Sequence, residues 1–277
     1  MTGPSPAKEP GGLPAPGLSG PGAARWNMAR TLEVFAGHEV RQTTPGGTIV
    51  HTDETAEART PHHNATLALS PATTADHLLQ VASTSRVSNL VWVDPEHEAA
   101  AYEHLRARGL EPVMDLAQMH LARIDRARLV RQQQAGEASL PRRWRLTTDP
   151  EVRLDGLRQL HLDATGMPQM VDFFARPEVL RHEAVGLALV LDEADEPVSA
   201  GLRVDDPASA SSGLYWVITR PGSRGQGLGR LVVTTLLAGA PATVRQAVLQ
   251  ATDAGQRLYE SLGFTTTHRW LRLRYRV

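Results

Sequence analysis

The stretch of this chain best suited to chemistry is Arg224-Gly225-Gln226-Gly227-Leu228-Gly229-Arg230. Glycines there let the backbone turn sharply, so that several N–H groups and the positive end of a following helix converge on a phosphate. A pyrophosphate fits such a nest. The dinucleotide-binding fingerprint is a different pattern, because it also needs an acidic residue about 20 positions onward at the end of the next strand. A P-loop is excluded too, since the Gly-Lys-Ser/Thr that would hold terminal phosphates and metal is missing. Cysteine is absent, which removes disulfides, thiolate metal sites and any mechanism that stores a group on a cysteine. His51, His97, His104 and His120 show no grouping with carboxylates at a ligand spacing, so no metal is expected.

The elements around the glycine run must aim it. Before it stands an apolar strand, Leu214 to Ile218, and after it an apolar helix from Leu228 to Gly239. Upstream, Trp144 to Thr147 reads as a strand, followed by a helix from Asp149-Pro150 to Leu162 and a second helix over Pro168 to Ala175. Ala184 to Leu191 and Val198 to Val204 read as a hairpin closed by the acidic segment Asp192 to Glu196. Downstream, Val244 to Gln250 reads as a strand and Asp253 to Leu262 as a helix ended by Gly263.

That last helix carries Leu258-Tyr259-Glu260-Ser261-Leu262-Gly263-Phe264. A strand, an Arg-x-x-Gly-x-Gly loop opening a helix, and Leu-Tyr-x-x-Leu-Gly-Phe downstream together resemble the GNAT superfamily of acyl-CoA-dependent N-acyltransferases. The resemblance covers Trp144 to the C-terminus. It implies that Arg224, Gly225, Gln226, Gly227, Leu228, Gly229 and Arg230 hold the CoA pyrophosphate, mostly through main-chain N–H groups. It further implies that Val217, Ile218 and Thr219 pair with the pantetheine arm in a break between this strand and the next. A backbone N–H of Val217 or Ile218 would then polarise the thioester carbonyl. Tyr259 matches the family's general acid, which protonates the departing CoA thiolate. Where many relatives have asparagine seven positions before the tyrosine, this chain has Thr252, whose hydroxyl offers one donor in place of two. The strand before the loop also lacks the glutamate that relatives often use as a base. Asp172, His182, Glu183 and Asp205 are the residues that could take an amine proton, directly or through water.

In the first half, Thr48 to His51, Thr66 to Ser70 and Asn89 to Val93 read as strands, Thr74 to Ser83 and Glu96 to Arg108 as helices, and Met114 to Ile124 as another strand. The series Val87 to Leu110, with Tyr102, is similar to Val244 to Phe264 but has no glycine loop before it. The first half therefore reads as a degenerate GNAT-like unit in which Tyr102 is structural; His62, His63 and Asn64 read by default as surface-loop residues, with the lining of an acceptor cavity between the halves as the alternative. The expected organisation is a disordered Pro/Gly-rich tail over 1–27, with Met28 a possible start. A degenerate unit follows over 28–125, then a connector over 126–143 and a catalytic unit over 144–277. The fold class is α/β (α+β), with two mixed-sheet units packed together.

The chain has 277 residues, 41% of them hydrophobic, enough for ordinary cores despite 19 prolines and 23 glycines. With 29 basic and 30 acidic side chains the net charge is -1, so no single-sign field exists to hold nucleic acid or an anionic membrane. No run reaches the length of about 18 apolar residues that a membrane helix needs, and no secretory signal opens the chain. The absence of cysteine suits the cytoplasm. The resulting expectation is an N-acetyltransferase that uses acetyl-CoA as donor and a small-molecule or peptide amine as acceptor, without nucleic acid or membrane. A noncatalytic acyl-CoA-binding or partner-binding module is the alternative.

Overall fold

In the computed structural model, described for residues 20–36, 41–44, 47–51, 65–69, 73–83, 89–149, 151, 154–167 and 174–275, eleven strands form one mixed sheet. The first half contributes helix α1 (Pro21–Ala36), strands β1 (Arg41–Thr44), β2 (Gly47–His51) and β3 (Ala65–Ala68), helix α2 (Ala75–Ala82), strand β4 (Asn89–Val93), helix α3 (Ala99–Ala107) and strand β5 (Glu111–Leu121). Helix α4 (Arg126–Ala138) leads into β6 (Arg145–Thr147), α5 (Leu154–Thr165), α6 (Pro177–Leu180), β7 (Val185–Leu191), β8 (Pro197–Asp206) and β9 (Ser211–Thr219). Helix α7 (Leu228–Ala238), β10 (Gln246–Ala251), α8 (Asp253–Glu260) and β11 (Thr265–Tyr275) close the chain. No helix among the described residues is long and apolar enough to cross a membrane.

Strand order is β1-β2-β3-β4-β11-β5-β10-β9-β8-β7-β6. Two neighbours run parallel, β3 with β4 and β9 with β10, and each pair is joined by a helix crossover as parallel strands require. The halves also exchange strands at the centre. β5 lies between β10 and β11, and β11 lies between β4 and β5, antiparallel to both. Trp270 on β11 is fully buried and meets Trp92 on β4 edge to face, 5.2 Å between ring centres.

The sheet separates apolar clusters. On one side α1, α5 and α6 bury Phe35, Leu157, Leu160 and Leu180 against Leu187, Leu202, Trp216 and Trp270. Another is built by α4, α7 and α8, with Leu129, Leu231, Val232 and Tyr259 packed on Met119, Leu214 and Leu249. A third cluster joins α2 and α3 to Val91, Val93 and Leu273.

Most expected elements are present, and two differ. The expected tail is helical from Pro21, with Ala23, Ala24, Arg25 and Asn27 buried. Composition pointed to disorder there, but small side chains let the helix approach the sheet. Arg25 pairs with Glu98 at 3.0 Å, donates to the Ala68 carbonyl and lies over Trp270. The helix expected from Glu96 begins at Ala99 instead, because the Asp94 carboxylate accepts from the N–H groups of Glu96 and His97 and closes a turn of its own. His62, His63 and Asn64, read as a surface loop or the lining of a cavity, lie outside the described residues, as does most of the helix expected over Pro168 to Ala175.

Candidate active site

β9 changes partners along its length. It runs parallel to β10 from Ser211 beside Gln246 to Leu214 beside Leu249, and there the pairing ends. Against β8 it continues to Thr219, passing from Leu202–Tyr215 to Ala200–Ile218 so that Gly201 alone faces Trp216 and Val217. One extra residue bends a strand and tightens its twist, and here Trp216 adopts φ 53°. Beyond the bulge, Val217, Ile218 and Thr219 border a gap between the carboxyl ends of two parallel strands. Open α/β sheets take ligands at such places.

The bulge is fastened from α5. Trp216 Nε1–H donates to His161 Nδ1 at 2.6 Å, and Trp216 stacks on Phe174 with ring centres 5.6 Å apart. Nδ1 is thus an acceptor, so the ring proton sits on Nε2 and reaches the Met167 carbonyl at 2.9 Å. Burial holds the His161 pKa below its ordinary value. A single histidine on an amphipathic helix carries no motif, and nothing in the local sequence pointed to this role.

At the end of β9 the chain passes a 3-10 turn, Pro221–Ser223, and enters the glycine run. Gly225 has φ 75° and Gly227 φ 80°, values that side chains other than glycine rarely adopt. No atom lies within 4 Å of where a Cβ would stand at either position, so the requirement is conformational and not spatial. Gly227 is the N-cap of α7 and has no side chain to cap it. The Leu231 N–H donates to the Gly227 carbonyl at 3.0 Å as the first bond of the helix, which leaves the N–H groups of Leu228, Gly229 and Arg230 without an intrahelical acceptor. The exposed loop and this helix end can therefore receive a phosphate.

The arginines of the run are engaged elsewhere. Arg224 donates from Nε to the Thr219 carbonyl at 3.1 Å and from its terminal nitrogen to the Ala164 carbonyl at 3.0 Å. Arg230 donates to the carbonyl and hydroxyl of Ser261, both at 3.2 Å. Both side chains thus act as braces. Gln226 accepts from Arg143 at 3.3 Å, a contact from outside the run.

Helix α8 comes to the same place. A Cβ at Gly229 would stand 3.4 Å from Leu258 Cδ2 and 3.8 Å from Thr219 Oγ1, so the start of α7, the end of β9 and the body of α8 converge. Tyr259 follows Leu258, is 8% exposed, and meets Phe264 edge to face at 5.8 Å. Burial pushes its phenol well above the usual tyrosine pKa, so the hydroxyl keeps its proton. Thr252 caps α8 through its carbonyl, which accepts from Gly255 and Gln256, while its exposed side chain makes no capping bond.

Of the residues considered for proton removal, Asp205, His182 and Glu183 gather where β8 meets the start of β7, with the Asp205 N–H donating to the Ala184 carbonyl at 2.8 Å. Asp205 is buried, paired with Arg203 at 2.9 Å and bonded by the Ser212 hydroxyl at 2.5 Å. His182 accepts from the Ala184 N–H at 3.1 Å, and burial lowers its pKa. Glu183 is exposed, and Asp172 lies outside the described residues.

Residues 184–266 match the family described as an acetyltransferase (GNAT) domain. No protein of the curated collection matches the chain. Among solved structures, a GCN5-related N-acetyltransferase from Kribbella flavida superposes with a TM-score of 0.59 at 16% identity, covering 93% of this chain and 96% of that one. A tandem GNAT protein from the clavulanic acid biosynthesis pathway gives 0.55 at 14% identity, covering 91% and 94%. A putative GNAT-family acetyltransferase from Novosphingobium aromaticivorans gives 0.51 at 17%, covering 91% and 99%. At these identities the superpositions show a shared fold.

Proposed function

We propose, from the match of residues 184–266 to a GNAT acetyltransferase domain, that this chain is an N-acyltransferase. It moves an acetyl or other short acyl group from acyl-CoA to a small-molecule or peptide amine by direct attack in a ternary complex. When bound, acyl-CoA supplies the activated thioester. The observation that carries the reading is the left-handed glycine loop and uncapped helix start, which open onto the gap where β9 leaves β10.

The main-chain N–H groups around residues 225–230 hold the pyrophosphate, and Val217 to Thr219 line the pantetheine arm with the Thr252 hydroxyl at the rim. Strand alternation favours one oxyanion donor. The Arg220 N–H donates to Val198 on β8 at 2.9 Å, so with a period of two Ile218 also faces β8, whereas Val217 and Thr219 face the gap. Val217 N–H polarises the thioester carbonyl as the amine nitrogen bonds to its carbon. Tyr259 gives its phenolic proton to sulfur as the carbon–sulfur bond breaks, and the proton shed by the amine returns through water to the phenolate. Direct transfer agrees with a chain that has no cysteine to carry the acyl group. The same composition suits a cytoplasmic protein.

Incubation with acetyl-CoA and a panel of amines, scored by thiol release, tests the activity. Tyr259→Phe should lower turnover about 100-fold or more, the range of general acid catalysis, with CoA binding retained. Unchanged turnover removes Tyr259 from the reaction. CoA binding without thiol release for any amine supports a noncatalytic module instead.

A further inference from the structure

We propose that Arg143, which lies before the matched domain, is the side-chain cation that meets the pyrophosphate of acyl-CoA, a role that rests on the reading above. The two arginines within the glycine run are braces, with Arg224 turned back on Thr219 and Ala164, and Arg230 on Ser261. Arg220, just before the run, is likewise committed to Asp163, Asp192 and the Pro197 carbonyl. Arg143 has no carboxylate within ion-pair distance among the described residues.

Arg143 is held at the loop by two contacts. Its guanidinium lies over the Trp144 ring, 4.6 Å from the ring centre, and a terminal nitrogen donates to Gln226 Oε1 at 3.3 Å. Trp144 is itself fixed, because its indole is buried in the cluster that contains Leu228 and Leu231 of α7. The Trp144 N–H also donates to the Pro141 carbonyl, closing the turn after α4. A guanidinium has five N–H donors, and the Gln226 contact uses one. Arg143 is exposed, and its remaining fork stands at the Gln226 side chain, within a loop that offers main-chain N–H groups but no free charge. A cation there supplies the charge-assisted bonds to phosphate that neutral amides lack.

Calorimetry on the full chain with CoA, 3′-dephospho-CoA and pantetheine tests this. Arg143→Met should weaken CoA and 3′-dephospho-CoA alike by about tenfold, flatten the salt dependence of binding, and leave pantetheine, which has no phosphate, unaffected. Arg143→Lys should recover part of the loss. The proposal is overturned if Arg143→Met binds CoA as the wild type does, or if the loss is confined to CoA and vanishes with 3′-dephospho-CoA. In either case wild-type CoA binding leaves the reading of the site intact. A wild-type chain that binds no CoA overturns both. Thermal melting of each variant confirms that the folded state is being compared.

Discussion

Trp216 Nε1–H and His161 Nδ1 meet at 2.6 Å, tying helix α5 to the residue of β9 whose backbone turns left-handed. The bond requires a neutral imidazole, and burial lowers its pKa to match. The unfolded chain, with histidine near pKa 6.5, takes up this proton first as pH falls. The stabilisation is therefore complete above about pH 6.5 and is lost below it, toward the depressed folded pKa. His268 and His182 are also lowered by burial and add to the same slope. Melting temperature should fall between pH 7.5 and 5.5. His161→Leu should lose about 1–3 kcal/mol at neutral pH by orphaning the indole N–H, and should show a shallower fall on acidification. An identical slope in the variant would assign the acid sensitivity to the other histidines.

Gly227 offers a test that separates backbone geometry from packing. Its φ is 80°, and a Cβ there would meet no atom within 4 Å. Gly227→Val should thus cost only about 1–2 kcal/mol of stability, the penalty for a side chain in the left-handed region. The turn would relax and carry the N–H groups of 225–230 away from a common point. Calorimetry should then show CoA affinity lost in a chain whose melting temperature has moved by a few degrees. Normal affinity would mean that the amides do not hold the phosphates.

The reach of the sequence can be judged at these same residues. Gly225, Gly227 and the boundaries of α7 were readable because a left-handed turn and an apolar helix are local demands written in adjacent residues. The roles of Arg224 and Arg143 were not, since which guanidinium faces the loop depends on where α5 and the end of α4 come to rest. Residues 21–27 look like tail by composition because their burial is justified only by partners far along the chain. Asn27, for example, bonds to Val204 and Ser211. The reciprocal placement of β5 and β11 is likewise a pairing decision with no local signature.

Asn27 leads to a stability prediction. Fully buried, its amide donates to the carbonyls of Val204 and Ser211 and to the Ser211 hydroxyl at 3.1–3.3 Å, while its oxygen accepts from the Tyr215 hydroxyl at 2.7 Å. Asn27→Ala removes these bonds from the interior, although the Ser211 hydroxyl keeps Ser209 and the Tyr215 hydroxyl keeps Thr31, and should cost about 2–4 kcal/mol. Asn27→Asp keeps the shape but loses both donors and turns a carboxylate toward two carbonyls, so it should melt no higher than the alanine variant. Removing residues 1–27 should be as damaging as either substitution, because Arg25 is lost as well. A truncated chain with wild-type melting would show that α1 does not anchor β8 and β9.

The exchange of strands predicts how the chain can be divided. A fragment ending at residue 140 lacks β11, and β4 and β5 then have no strand between them. The complementary fragment lacks β5 between β10 and β11 and exposes the fully buried Trp270. Arg126 also reaches across the cut, donating to the Ala240 carbonyl at 3.2 Å. Each fragment should therefore show poor amide dispersion by NMR when alone, since unpaired edges and exposed aromatic surface favour association over folding. Mixing them should restore dispersed spectra, a one-to-one complex and CoA binding, because the sheet is completed only when each supplies the strand the other lacks. A fragment from residue 141 onward that folds and binds CoA by itself would show that β5 is dispensable and that the site needs the second half alone.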